Sequence, residues 1–125
     1  MGTNLIAIFL GGGIGAILRF CATILSSKFF ATPIYGTFAV NIVGCFLIGS
    51  LFGLVCNKTE ALPLAIKLFL TTGLLGGLTT FSTLNFEVFE LIKSGKILIG
   101  LGYLFLSCFI GLICTYFGYS LFSKI

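Results

Sequence analysis

The sequence predicts an all-α membrane protein of four transmembrane helices, the third of them broken, assembled as an antiparallel dual-topology homodimer. Three observations predict it. The 125-residue chain is 58% hydrophobic and only 8% charged, with a mean hydropathy of +1.24, which leaves almost no material for a soluble part. Four apolar stretches, at about 4–25, 36–56, 64–92 and 97–122, each reach the roughly 20 residues a helix needs to cross hydrocarbon. The flanking lysines balance, with Lys58, Lys67 and Lys124 on the side of the termini and Lys28, Lys93 and Lys96 on the other, so no excess of positive charge sets the orientation. A chain without that bias can insert both ways, and two copies of opposite orientation can then pair about a two-fold axis in the membrane plane; the competing reading is that a small membrane protein has balanced charges by chance. Residues 1–125 form a single integral membrane domain.

The first stretch lacks a basic leader and is followed by three more apolar stretches, so it reads as a span rather than a signal peptide. At i, i+4 spacing it presents Gly11, Gly15, Arg19 and Thr23 on one face. Arg19 is the one charge deep in a span. It either sets a positive potential that draws anions to an entrance or snorkels to the interface from near the end of its helix.

Ser26-Ser27-Lys28 and Pro33 punctuate the joint to the second stretch. That stretch presents Asn41, Cys45, Gly49 and Gly53 on one face. An amide left unpaired in lipid costs a few kcal/mol, so Asn41 either makes an interhelical hydrogen bond or serves as a donor for an anion stripped of water.

Asn57-Lys58-Thr59-Glu60 and Pro63 lead into the third stretch. It is longer than a straight span requires, and residues 71–87 crowd it with glycines, hydroxyls and an amide. In hydrocarbon every backbone polar group must be satisfied within protein. The composition therefore predicts an interruption near Gly76 to Thr83 that lines a cavity or binds an ion. The competing reading is that Gly76 and Gly77 only permit close helix packing while the hydroxyls bond back to carbonyls one turn earlier. If the helix unwinds at Gly76 to Thr79, the freed carbonyls can ligate a hard cation such as Na⁺. Thr79, Thr80, Ser82 and Thr83 add hydroxyls, and Phe81 adds a ring whose positive edge favours an anion. With fifteen phenylalanines in the chain, only its polar neighbourhood singles Phe81 out.

Lys93-Ser94-Gly95-Lys96 forms the last joint, and the fourth stretch carries Tyr103, Ser107, Gly111 and Thr115 on one face. A four-helix chain has little interior for such polar and small-residue lines, and dimerisation is a natural way to bury them.

Composition excludes several functions. There is no His, and Glu60, Glu87 and Glu90 are the only acidic residues, so an enzyme built on proton shuttling, metal ligation or paired carboxylates is not expected. The five cysteines are scattered and form no C-x-x-C pair; they read as small buried hydrophobes. No basic patch points to nucleic acid.

Three motifs carry a resemblance. Gly11-Gly12-Gly13-Ile14-Gly15-Ala16-Ile17-Leu18-Arg19, Gly36-Thr37-Phe38-Ala39-Val40-Asn41-Ile42-Val43-Gly44 and Gly76-Gly77-Leu78-Thr79-Thr80-Phe81-Ser82-Thr83 together resemble the bacterial Fluc (CrcB) fluoride channels, in three of four helices and in the right order. The resemblance implies a passive, fluoride-selective channel in the bacterial plasma (inner) membrane, which lets cytoplasmic fluoride leave and so limits its toxicity. It implies two pores per antiparallel homodimer and a structural Na⁺ on the dimer axis. By position Asn41 looks like the pore asparagine, Phe81 like the first pore phenylalanine and Arg19 like the vestibule arginine. Gly76 and Thr79 match the positions whose backbone carbonyls hold the sodium, and Tyr103 and Ser107, with Ser82 and Thr83, resemble the polar track beside the rings. The family commonly reads Phe-Ser-Thr-Phe; here the fourth place is Leu84, which leaves the second aromatic edge missing. Two rivals remain: a small dual-topology multidrug exporter, which needs a membrane-embedded carboxylate, and a non-transporting assembly subunit.

Overall fold

The computed structural model describes residues 1–56 and 62–123, and every regular element among them is helical. Helix α1 spans Gly2–Phe30 and α2 spans Ile34–Cys56. The third stretch begins as α3, Leu64–Leu68, widens into a π-helical segment, Phe69–Leu75, and tightens again into α4, Gly76–Leu78. Thr79 (φ −83°, ψ 153°) and Thr80 (φ −151°, ψ 117°) are extended, and α5, Phe81–Lys93, follows. The chain closes with α6, Ile97–Phe122. With residues 64–93 taken as one unit, four helical stretches are long and apolar enough to cross a membrane. The Asn57-Lys58-Thr59-Glu60 joint and Lys124 lie outside the described residues, and with them two of the lysines in the charge balance.

The joints are built from local chemistry. Ala31 adopts the left-handed conformation (φ 56°) after α1. The Ser26 hydroxyl donates to the Thr32 carbonyl at 2.8 Å and accepts from the Gly36 N–H at 3.0 Å, tying the end of α1 to the first turn of α2. After α5, the Lys96 N–H reaches the Leu91 carbonyl and the Gly95 N–H reaches the Ile92 carbonyl. This is the Schellman closure, which needs a positive φ at Gly95, here 82°.

Packing is closest between α2 and α6 and between α1 and residues 69–78. Glycines make both approaches possible. A Cβ on Gly15 would strike the Leu74 carbonyl and stand 2.7 Å from the Leu78 nitrogen, and one on Gly73 would stand 2.9 Å from the Gly11 Cα. On the other side, a Cβ on Gly49 would strike the Thr115 carbonyl. The small-residue lines at Gly11, Gly15, Gly49 and Gly53 are therefore filled by other helices of the same chain.

The expected unwinding from Gly76 is also displaced. Gly76 is helical (φ −63°, ψ −36°), and Gly77 lies against α1, where a Cβ would stand 3.1 Å from the Ala16 nitrogen. Gly77 thus serves close packing, whereas a Cβ on Gly76 would meet only the Thr71 carbonyl at 3.7 Å; the two extended residues are threonines.

The interior inverts the pattern of a water-soluble domain. Val40, Leu75 and Leu78 form a small buried cluster with Ala22 and Ile48 against it. Ser26, Thr37, Ser50, Thr80, Glu87 and Ser107 are buried too, whereas large side chains such as Phe9, Phe20 and Leu98 face outward. That suits lipid, where apolar surface gains nothing by turning inward and polar groups must find partners.

Candidate functional site

Two layers of polar side chains cross the bundle, one helical turn apart. Each of α2, α5 and α6 supplies a pair at i, i+4 spacing: Thr37 and Asn41, Thr83 and Glu87, Tyr103 and Ser107.

The first layer is organised by Asn41. Its Oδ1 accepts from the Thr80 N–H at 2.7 Å, and its Nδ2 donates to the Thr80 carbonyl at 3.1 Å. One amide thus satisfies both backbone groups of the extended residue. Of the two readings open for Asn41, the interhelical hydrogen bond is realised, and one Nδ2 hydrogen still remains by inventory. The Thr80 hydroxyl caps α5 by accepting from the Thr83 N–H at 3.2 Å, donates to the Thr83 hydroxyl at 3.0 Å and lies 3.4 Å from the Ser82 hydroxyl.

A cleft of about 390 Å³ opens beside this layer, lined by Asn41, Cys45, Thr80, Phe81, Leu84, Ser107 and Cys108 among others. Phe81 is 71% exposed. Leu84, at the place the resembled family commonly fills with a second phenylalanine, is only 4% exposed and packs inward. Ser107 is buried, and its Oγ has no hydrogen-bond partner. A buried hydroxyl without a partner is uncommon and calls for a ligand or water.

The second layer was not anticipated. Glu87, 8% exposed, accepts from the Thr37 hydroxyl at 2.7 Å through Oε1 and from the Tyr103 hydroxyl at 2.8 Å through Oε2. Thr37 is 1% exposed. Tyr103 turns away from the Ser107 cleft and lines a second cavity of about 490 Å³ with Phe38, Tyr35 and Leu106. The structure thus brings Asn41, Gly76, Thr79, Phe81 and Ser107 to one cleft, places Ser82 and Thr83 in the hydroxyl cluster at its edge, and puts Tyr103 in the neighbouring layer. Arg19 sits half-buried on α1, outside both cavity linings. The i, i+4 spacing of Thr37 with Asn41 and of Thr83 with Glu87 was the available signal for the second layer. Glu87 gave little by itself, because a carboxylate late in an apolar stretch reads as interfacial.

The carbonyls at the interruption can be traced as well. In a continuous helix Thr80 N–H would serve the Gly76 carbonyl and Thr83 N–H the Thr79 carbonyl. Here the first goes to Asn41 and the second to the Thr80 hydroxyl, while the Thr79 N–H is taken by Leu75. The Gly76 and Thr79 carbonyls have thereby lost their helical donors, and they fit the donor chemistry of a hard cation.

Comparison with known proteins places the chain. A family model described as "CrcB-like protein, Camphor Resistance (CrcB)" matches residues 6–119. A protein of Flavobacterium psychrophilum named fluoride-specific ion channel FluC is 46% identical over 112 residues, covering 89% of this chain and 90% of its own. Proteins of the same name from Pseudomonas fluorescens and Chloroflexus aurantiacus are 42% and 43% identical, each covering 94% of this chain and 94% of its own. These relatives are named as ion channels and not as enzymes. With four apolar helical stretches, the chain is a multi-pass bacterial membrane protein, and it belongs to the CrcB family.

Proposed function

We propose that this protein is a fluoride channel of the bacterial plasma membrane, through which cytoplasmic fluoride leaves passively down its electrochemical gradient. The observation that carries the reading is the buried, unpartnered Ser107 hydroxyl in a cleft that also holds the Asn41 amide and the Phe81 ring. That wall is mostly apolar, carries a few hydroxyl and amide groups and is free of formal charge, which suits conduction of a small, strongly hydrated anion, since a buried cation would bind it too well to release it. The first turn of α5 opens on the same cleft, so the positive end of its dipole favours an anion there. Ser82 and Thr83 stand at the edge of this path, Tyr103 belongs to the layer beside it, and Arg19 raises the potential at the vestibule. HF re-enters a cell as the neutral acid and dissociates near neutral pH, so a passive route for the trapped anion suffices.

The working assembly is an antiparallel homodimer with dual topology and two pores. Phe81, Ser82, Asn85 and Phe86 are exposed along α5, and hydroxyl and amide groups left facing lipid are costly; a second copy covers this face and completes the cleft. The Gly76 and Thr79 carbonyls of both subunits would hold a structural Na⁺, whose positive charge would offset the negative helix end at residue 78.

The multidrug-exporter reading needs a carboxylate that exchanges protons with cationic drugs. Glu87 is embedded, but its carboxyl oxygens are engaged by Thr37 and Tyr103, so the exporter is not favoured. Fluoride efflux from liposomes holding the purified protein, read by electrode with a K⁺ ionophore to clamp charge and with chloride measured alongside, tests the proposal. Fast fluoride loss without chloride loss is expected; no fluoride flux from folded protein overturns it. Impermeant thiol labelling at the C-terminus is expected to find both orientations.

A further inference from the structure

Asn41 bonds to the interruption and not only to the cleft. It grips one residue at both backbone groups, with Oδ1 on the Thr80 N–H at 2.7 Å and Nδ2 on the Thr80 carbonyl at 3.1 Å. The orientation of the amide is forced, because the peptide N–H can only donate and the carbonyl can only accept. Thr80 is extended in consequence, at φ −151° and ψ 117°. Returning it to helical values would aim its N–H at the Gly76 carbonyl, and both bonds to Asn41 would have to break first. The Thr80 hydroxyl acts in the same sense one residue on, taking the Thr83 N–H that would otherwise cover the Thr79 carbonyl.

We infer that Asn41 is a positioning residue for the cation site: by holding Thr80 out of the helix it keeps the Gly76 carbonyl uncovered, without touching the ion. The inference rests on the sodium reading above and assigns Asn41 a role that its place in the anion cleft does not require. Gly76 and Thr79 line the same cleft as Phe81, so the two sites adjoin and Asn41 serves both. Asn41 faces the cleft beside Phe81 while its oxygen and one hydrogen secure the backbone that presents the carbonyls. Pore wall and cation cradle are therefore coupled through a single rigid amide, and a substitution made to alter one is expected to alter the other.

The test is thermal unfolding of the purified full-length protein in detergent, titrated with NaCl against N-methylglucamine chloride at constant ionic strength. Wild type, Asn41→Ala and Phe81→Ala are compared, the last altering the cleft without removing a side-chain hydrogen bond to residues 76–80. Wild type and Phe81→Ala are expected to be stabilised by sodium at the same half-effect concentration. Asn41→Ala is expected to need about tenfold more sodium, the change that follows from losing one hydrogen bond's worth of site organisation. Asn41→Ser keeps a polar atom in the span but cannot bridge both ends of the Thr80 residue. It is expected to show the same weakening and gives the answer if the alanine variant does not survive purification. A merely structural role would lower the unfolding temperature equally in both salts and leave the half-effect concentration unchanged, and that result overturns the inference. A wild type with no response to sodium overturns the sodium reading and this inference together, whereas a wild-type response retained in the Asn41 variants overturns this inference alone.

Discussion

The two polar layers differ in what they hold. In the Asn41 layer a side chain is bonded to backbone, and the beneficiary is the extended pair Thr79 and Thr80. In the Glu87 layer three side chains are bonded to one another, and the backbone around them is ordinary helix, apart from a 3.5 Å approach of the Tyr103 hydroxyl to the Ile34 carbonyl. The first layer therefore shapes the chain and the second joins helices that are already formed. Each solves the same difficulty, which is that lipid offers no water to satisfy a polar group. Ser107 belongs to the first layer by position, yet its hydroxyl is bonded to neither. It stands out as the group left for something that enters the cleft.

That contrast can be broken in graded steps. The largest effect is expected for Asn41→Leu, which strands both the N–H and the carbonyl of Thr80. At about 1–3 kcal/mol for each buried unsatisfied group, the loss should be about 2–6 kcal/mol in a reversible unfolding assay. Thr37→Val should cost less, about 1–3 kcal/mol, since it leaves one carboxyl oxygen of Glu87 without its donor while the Tyr103 bond survives. Tyr103→Phe should cost a similar amount. Because the two hydroxyls share one carboxyl, the double variant should depart from the sum of the singles, and strict additivity would show that the layer does not act as a unit. Ser107→Ala should leave stability within about 0.5 kcal/mol of wild type, since no bond within the chain is lost. Leu84→Phe sharpens the comparison from the side of the cleft. Leu84 packs inward at 4% exposure, so a larger ring must displace its neighbours, and unchanged fluoride flux in that variant would show that a second ring is not limiting.

Much of this was legible in the sequence, for identifiable reasons. Runs of apolar residues near the thickness of a bilayer give four helical stretches directly, and an amide in the middle of one of them has few explanations. Asn41, Phe81 and Ser107 were all singled out by being polar, or beside polar groups, where lipid penalises polarity. The failures are equally physical. Gly76 and Gly77 read as the place where the helix unwinds, because glycine tolerates any backbone. Yet Gly77 lies against α1, where a Cβ would collide, and the extended residues are Thr79 and Thr80, held by a partner 39 positions away in the chain. The resemblance put Tyr103 and Ser107, which lie on one face of one helix, into one polar track. They part because Tyr103 reaches a carboxyl that belongs to α5. Glu87 itself was hidden because its burial exists only where three helices meet. Side-chain pairing across helices is the part of the site that a reading of one helix at a time does not reach.

In the proposed function the Asn41 layer is the anion path, with Ser107 as the buried hydroxyl that bonds to nothing in the chain. The direct test is fluoride and chloride efflux from liposomes carrying wild type or Ser107→Ala, with unfolding measured on the same preparations. The prediction is rapid fluoride loss without chloride loss from wild type, and clearly slower fluoride loss from a Ser107→Ala protein that unfolds at the wild-type temperature. Equal fluoride rates in the two proteins, or no fluoride flux from wild type, would contradict it.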